Sequence, residues 1–314
     1  MRVCAIDVGT NTVQSLVADV AGGALVVVAD EERFARLGQG VDAGRRLAPE
    51  AMDRALACLA AAQQTARRLG ADRVVIGATS ASRDAANVDV LVRRVRDDLG
   101  LDYRVISGEA EAALSFRGAL AQWPDVPGRP APDAPVVVVD VGGGSTEIAV
   151  GTRAAGVAAR ASLDVGSVRL TERHISIVPP GPASVDAARD DVRRAVAALP
   201  PGVAAAVAQA IASGAPVVAT GSVARLLARL AGSDTSEGRP PPRVPVATVA
   251  AWSGRLVALA PAATLALDPA ALAGREDVAA AAVLVLATVL DAVGADAYVT
   301  TRGGLRHGLA LSAA

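Results

Sequence analysis

A short apolar strand that runs into Asp-Val-Gly and a hydroxyl-bearing turn occurs twice in this chain, 133 residues apart. The first copy is Val3-Cys4-Ala5-Ile6 followed by Asp7-Val8-Gly9-Thr10-Asn11-Thr12 and the apolar stretch Val13 to Val20. The second is Val136 to Val139 followed by Asp140-Val141-Gly142-Gly143-Gly144-Ser145-Thr146-Glu147 and Ile148-Ala149-Val150. A strand–turn–strand block repeated at that distance points to two similar domains that each open with the same hairpin. At 314 residues the chain has room for two domains of ordinary size. Five prolines between Trp123 and Pro135 mark the linker. The predicted domains are residues 1–128 and 129–314, with the final helix free to return to the first.

The remaining pattern is that of an α/β chain. Gly22-Gly23 is a hairpin turn between Val13–Val20 and a strand over Ala24–Ala29. Pro49 opens a helix to Leu69 whose Met52, Leu56, Leu59, Ala66 and Leu69 share one face. A strand at Val74–Ile76, a helix at Val88–Leu99, a strand at Tyr103–Ile106 and a helix from Gly108 to Gln122 come next. The second half alternates helices with short strands, among them Val217–Ala219 and Ala297–Thr300. It carries a polar, proline-rich loop from Gly232 to Arg243 and, past Gly303-Gly304, a short closing helix.

Composition removes several function classes. All 31 basic residues are arginine, so a GK[ST] phosphate loop, a lysine Schiff base and a kinase-type strand lysine are excluded. Two Phe, two Trp and two Tyr leave no aromatic platform for stacking bases, and a net charge of −1 gives no global field for nucleic acid. Cys4 and Cys58 form neither a disulfide framework nor a metal-binding pair. No signal peptide precedes the first strand, and the apolar helix Val278–Leu290 is shorter than the roughly 20 residues that a bilayer requires. The expected location is the cytoplasm, without a membrane partner.

Glycine lets backbone approach an anion, and successive N–H groups in a tight turn form an anion-binding concavity. Gly142-Gly143-Gly144-Ser145 has that composition, with Asp140 and Glu147 spaced to hold Mg²⁺ beside a phosphate. A glycine-rich hairpin with two solvated acids is the plain alternative. Gly9-Thr10-Asn11-Thr12 is the matching half, also readable as an ordinary turn. Arg83, after Thr79-Ser80-Ala81-Ser82, can grip a phosphate bidentately or stand beside a helix cap. In Ser107-Gly108-Glu109-Ala110-Glu111-Ala112 a glutamate can serve as general base, or both acids can simply favour a helix start. His174 and His307 have no metal-ligand spacing and read as structural.

With these stretches in view, the chain resembles the Ppx/GppA phosphatases, which comprise exopolyphosphatases and guanosine pentaphosphate phosphohydrolases. The resemblance rests on the two Asp-Val-Gly blocks and on Ala78 to Ala85 with Asn87. It also rests on Ser107 to Ala112, Gly166-Ser167-Val168-Arg169-Leu170, Ala219-Thr220-Gly221-Ser222 and Gly304-Leu305-Arg306-His307-Gly308. It implies duplicated ribonuclease-H-like domains of the actin, Hsp70 and sugar-kinase type, with the active site in an interdomain cleft. It implies Glu111 as catalytic base, Asp140 and Glu147 with Asp7 as the Mg²⁺ site, and Arg83 as a phosphate ligand. Gly9, Thr10, Asn11, Thr12, Gly142, Gly143, Gly144, Ser145, Gly221 and Ser222 would cradle phosphates. The implied reaction is Mg²⁺-dependent release of orthophosphate from inorganic polyphosphate, with pppGpp hydrolysis as the alternative. An ATP-dependent small-molecule kinase and a non-catalytic polyphosphate or nucleotide sensor are more remote. Another divalent ion, an accessory K⁺ and a homodimer are compatible with the resemblance. Thr10, Thr12, Ser222 and His307 depart from the family's usual residues and bear on substrate preference. Glu109 lies close enough to Glu111 to compete for the base assignment. A chain of this length is expected to lack the extra C-terminal helical domain of longer relatives, and so to offer a shorter track for the polymer.

Overall fold

The computed structural model describes residues 1–126, 128–233 and 239–314. Pro127 of the expected linker and residues 234–238 of the expected polar loop lie outside the described residues. The chain forms two compact units, residues 1–121 with 303–314 and residues 122–302. Each is built on its own sheet, which makes the fold α/β with two sheets.

The first unit contains β1 (Arg2–Val8), β2 (Thr12–Ala21), β3 (Ala24–Phe34), β4 (Arg73–Ala78) and β5 (Tyr103–Val105). Its helices begin with α1 (Val41–Gly44), α2 (Pro49–Arg68), α3 (Ser80–Asp84), α4 (Val88–Leu99) and α5 (Gly108–Ala121). The sheet order is β3-β2-β1-β4-β5, antiparallel through the first three strands and parallel at β1-β4-β5. Gly22 and Gly23 both have positive φ, as the two-residue hairpin expected there requires. The strand expected over Ala24–Ala29 continues to Phe34 as β3. Its polar end keeps pairing with β2 because Glu32 accepts from Gln14 and Asp30 from Arg306.

The second unit contains β6 (Pro135–Val141), β7 (Thr146–Thr152), β8 (Gly156–Leu163), β9 (Val217–Thr220), β10 (Arg243–Pro245) and β11 (Ala297–Val299). Its helices are α6 (Ser167–His174), α7 (Pro182–Ala197), α8 (Pro201–Ala212), α9 (Gly221–Leu230), α10 (Val246–Val257), α11 (Pro261–Leu265), α12 (Pro269–Leu272) and α13 (Ala279–Ala292). The order β8-β7-β6-β9-β11 repeats the order and pairing senses of the first sheet, and β10 adds an antiparallel edge. The last helix, α14 (Leu305–Ala313), belongs to the first unit.

Val3–Ile6 of β1 and Val136–Val139 of β6 are unbroken apolar runs because both faces of each sheet are covered. On one face of the first sheet, Cys4, Ile6 and Val8 pack with α2 and α4; on the other, Val3, Ala5, Leu16 and Ala18 pack with α14. Val137, Val139, Ile148 and Val150 centre the core of the second unit, with Val192 of α7, Val203 of α8 and Leu284 of α13. The apolar faces of α7 and α8 are spent on this core. Among the described residues no single helix is long and apolar enough to cross a membrane.

Candidate functional site

The glycine loop of the second unit is held by the start of α6 behind it. Gly142 N–H donates to the Ser145 carbonyl at 3.0 Å and closes the turn between β6 and β7. The Gly142 carbonyl accepts from Ser167 N–H at 3.0 Å, and that of Gly143 from Val168 and Arg169 at 2.8 and 3.2 Å. Arg169, 5% exposed, donates from Nε to the Gly144 carbonyl at 2.7 Å. In a planar trans peptide the next N–H points opposite to the carbonyl. The N–H groups of Gly143, Gly144 and Ser145 are therefore all turned away from α6, in the arrangement that binds anions. Gly166 makes the contact possible: a Cβ there would lie 2.6 Å from the carbonyl carbon and oxygen of Gly143.

Acidic residues flank this loop. Asp140 and Glu147 are directly opposed on the antiparallel β6–β7 ladder, so their side chains leave the same face of the sheet. Glu147 is 2% exposed and accepts from Ser162 Oγ at 2.7 Å. Like charges at such a pair are unfavourable unless a cation compensates them. Asp140 also pairs in register with Thr220, and Gly221 begins α9 at φ +85°. A Cβ on Gly221 would lie 3.3 Å from Asp140 Oδ1, so any other residue there would crowd the carboxylate. Ser222 is the next residue, in the first turn of α9. Among the described residues no three Asp, Glu, His or Cys side chains gather as a metal site. Two opposed carboxylates nonetheless suit Mg²⁺, which takes one or two from protein and the rest from water and phosphate.

The first unit repeats the turn with other supports. Gly9 N–H donates to the Thr12 carbonyl at 2.9 Å. The Thr10 carbonyl accepts from Gly38 N–H at 2.8 Å, and that of Asn11 from Ala35 and Arg36 at 3.2 and 2.8 Å. The N–H groups of Asn11 and Thr12 thus point away from residues 35–38. Thr10 is buried with its methyl group against Gly38, so its side chain packs while its backbone shapes the loop. Asp7 lies opposite Gln14, the position that corresponds to Glu147.

Arg83 and Glu111 come together in this unit. Thr79 N–H donates to the Val8 carbonyl, which starts α3 beside the end of β1 and places Arg83 in its last turn. Ser107 Oγ accepts from Ala110 N–H and caps α5, fixing Glu111 in the first turn. Arg83 Nη1 donates to Glu111 Oε2 at 2.6 Å and to the Ile106 carbonyl at 3.2 Å. This charge-assisted bond orients the carboxylate. Glu111 is buried and Glu109 is exposed, a distinction that two acids in one helical turn do not reveal by sequence.

Other singled-out residues have structural settings. Asn87 pins the chain before α2 through two bonds to the Leu47 backbone. His174 meets Asp191 at 2.7 Å, and His307 is buried in α14. Both thiols are buried, and burial pushes Cys4 up to about 12 and raises Cys58. Neither thiol supplies a thiolate at neutral pH. Sequence reasoning left Gly38, Gly166 and Arg169 without a role. The last two stand in one of the family's stretches, but their bonds to the glycine loop require the folded chain.

Comparison with known proteins places this architecture. Exopolyphosphatase 2 of Mycobacterium tuberculosis is 45% identical over 201 residues, which are 61% of this chain and 60% of that protein. A guanosine-5'-triphosphate,3'-diphosphate pyrophosphatase of Vibrio atlanticus is 37% identical over 54% of this chain and 33% of its own length. The chain thus spans about 60% or less of the length of these curated relatives. The crystal structure of an exopolyphosphatase-like protein superposes with a TM-score of 0.85 at 29% identity, covering 99% of this chain and 97% of that one. An exopolyphosphatase from Cytophaga hutchinsonii shares the fold, with a TM-score of 0.82 at 24% identity over 98% of this chain and 96% of its own. The profile of the Ppx/GppA phosphatase family matches residues 16–314, and the chain belongs to that family.

Proposed function

We propose that this chain is an exopolyphosphatase that hydrolyses the terminal phosphoanhydride of inorganic polyphosphate and releases orthophosphate. The observation that carries this reading is the run of three successive N–H groups, Gly143 to Ser145, turned one way by carbonyl bonds to α6 and Arg169. Such a run suits an anion that presents several oxygens, and the loop at Gly9 to Thr12 offers a second, smaller one. Family membership and the name of the 45% identical relative support the same chemistry. The common order of the two sheets supports duplicated ribonuclease-H-like domains, with residues 122–302 as the second and α14 as part of the first.

In this reading Asp140 and Glu147 would hold Mg²⁺, and Asp7 is the first unit's acidic candidate for the same role. The bound ion would offset charge on the phosphates. The loop N–H groups and Gly221-Ser222 hold the anion in line. Arg83 shares its guanidinium between phosphate and Glu111. Glu111 accepts a proton from water as the water oxygen bonds to the terminal phosphorus, and the bridging P–O bond breaks. The products are orthophosphate and a chain one phosphate shorter. Positioning and electrostatics supply the rate, as phosphoryl transfer generally demands.

Hydrolysis of pppGpp is the second reading, favoured by the 37% identical relative. The test is orthophosphate release, with Mg²⁺, from short polyphosphate, long polyphosphate, pppGpp and ATP. Release from polyphosphate that falls steeply in Glu111→Gln, with polyphosphate binding kept, supports the proposal. Release from pppGpp alone selects the second reading. Turnover that needs a phosphoryl acceptor indicates a kinase, and binding without turnover a sensor.

A further inference from the structure

The stretch Gly303 to Gly308 takes no part in the chemistry above, yet it makes the closest backbone approaches in the first unit. A Cβ on Gly118 of α5 would lie 2.0 Å from the Gly304 carbonyl oxygen. One on Gly303 would lie 2.0 Å from the Gly118 oxygen, and one on Gly308 2.1 Å from the Leu114 oxygen. These atoms are backbone and cannot swing aside, so α5 and the start of α14 meet where only hydrogens fit. α14 is itself fixed to the sheet. Arg306, 8% exposed, pairs through Nε and Nη2 with both oxygens of Asp30 at 2.8 Å and donates to Gln14 Oε1. Arg73 holds the far end through the Ala313 carbonyl at 2.8 Å.

We propose that Gly118, Gly303 and Gly308 are positioning residues: through them α14 sets where α5 lies along the sheet, and so where it delivers Glu111. This rests on the reading of Glu111 as the base. Leu114 is one turn beyond Glu111 on the same helix, about 4.5 Å along its axis. Arg83, the partner of Glu111, is carried by α3, tied to β1 through Thr79 and bonded to the Ile106 carbonyl ahead of α5. A methyl group between α14 and α5 shifts Glu111 relative to Arg83, whose backbone is tied to β1 through Thr79. The carboxylate then loses its 2.6 Å bond and its aim at the attacking water. Phosphate binding by the glycine loops is untouched.

The test is a double-mutant cycle between Gly308→Ala and Glu111→Gln, read as kcat and KM for polyphosphate and as the thermal midpoint. A misplacement of about 1 Å costs about 100-fold in rate, so Gly308→Ala is expected to lower kcat about 10- to 100-fold with KM nearly constant. In the Glu111→Gln background the same substitution is expected to leave kcat nearly unchanged, because the group it displaces is already gone. Its effect on the midpoint is expected to be no larger in the Glu111→Gln background, where the ion pair with Arg83 is already gone. Equal kcat losses in the two backgrounds, or no loss in either, overturn the clamp and leave the reading of Glu111 standing. Near-native turnover of Glu111→Gln overturns both. Should Gly308→Ala not fold, Arg306→Lys loosens α14 without adding bulk. A smaller kcat loss, again absent with Glu111→Gln, upholds the proposal, and an unchanged kcat overturns it.

Discussion

The two Asp-Val-Gly loops share a turn but differ in what surrounds it. Gly9 N–H reaches the Thr12 carbonyl at 2.9 Å and Gly142 N–H the Ser145 carbonyl at 3.0 Å. The residue opposite the aspartate differs: Gln14 faces Asp7, whereas Glu147 faces Asp140. Gln14 is occupied by Arg306 and Glu32, so the first ladder is closed by a neutral amide in an ion-pair network. Glu147 keeps a second negative charge beside Asp140, with a single hydroxyl donor from Ser162 among its bonds. One backbone design thus serves two ends. The second unit sets two carboxylates opposite each other, and the first places a single aspartate in the unit that carries the Arg83–Glu111 pair.

The largest effect is expected from making the second ladder like the first. Glu147→Gln keeps shape and an acceptor for Ser162 but removes the charge. Loss of a mere outer-shell partner lowers metal affinity about 10- to 100-fold, so loss of a direct ligand lowers it at least as much. A Mg²⁺ titration of orthophosphate release should therefore shift upward by at least about tenfold. An unchanged titration removes Glu147 from the metal site.

The anchors of the loops come next. In Gly166→Ala the new methyl group falls 2.6 Å from Gly143 backbone, whereas in Gly9→Ala it falls 3.2 Å from the Thr12 carbonyl. Overpacking against backbone costs about 1–3 kcal/mol, so Gly166→Ala should lower the thermal midpoint and raise KM for polyphosphate. Gly9→Ala should do much less of both. Equal effects would show that α6 does not hold the loop in place.

The converse exchange, Gln14→Glu, sharpens the comparison at smaller cost. It recreates an opposed acidic pair at Asp7, but the new carboxylate meets Arg306 and lies among Asp30 and Glu32. The gain with Arg306 and the repulsion from the acids nearly cancel, for a change within about 1 kcal/mol. No new dependence on Mg²⁺ is expected in isothermal titration. A second Mg²⁺ bound by this variant would show that the opposed pair alone makes the site.

Local patterns were legible in the sequence, and distant supports were not. Strand, Asp-Val-Gly, turn and strand are contiguous, so both hairpins and the opposition of Asp140 to Glu147 come from spacing alone. The extension of β3 through Asp30 to Phe34 looks like a polar loop until Arg306 arrives from 276 residues away. Arg169 reaches Gly144 from 25 residues downstream, and no periodicity announces a side chain that bonds a carbonyl there. Glu109 and Glu111 share a helical turn and a chemistry. Burial and the bond to Arg83, both tertiary, set them apart.

The two units differ finally in how acid reaches them. In the first, Arg2 holds Asp19 below the usual carboxylate range by a hydrogen bond at the surface, where solvent screens the pair. In the second, burial pushes Asp191 up, but hydrogen bonds from His174, Arg194 and Arg173 outweigh it and leave the carboxyl below its ordinary value. A carboxylate whose folded pKa is depressed stabilises the native state above its unfolded value of about 3.9, and that contribution is lost as pH falls through the folded value. Asp191→Asn should therefore lower stability by on the order of 1 kcal/mol at pH values above the ordinary carboxylate range, read as a lower thermal midpoint. The gap should close as the pH is taken down through the folded value. Asp19→Asn should show little gap at any pH. A gap for Asp191→Asn that persists at the acid end would mean that α6 and α7 are joined there by shape rather than by charge.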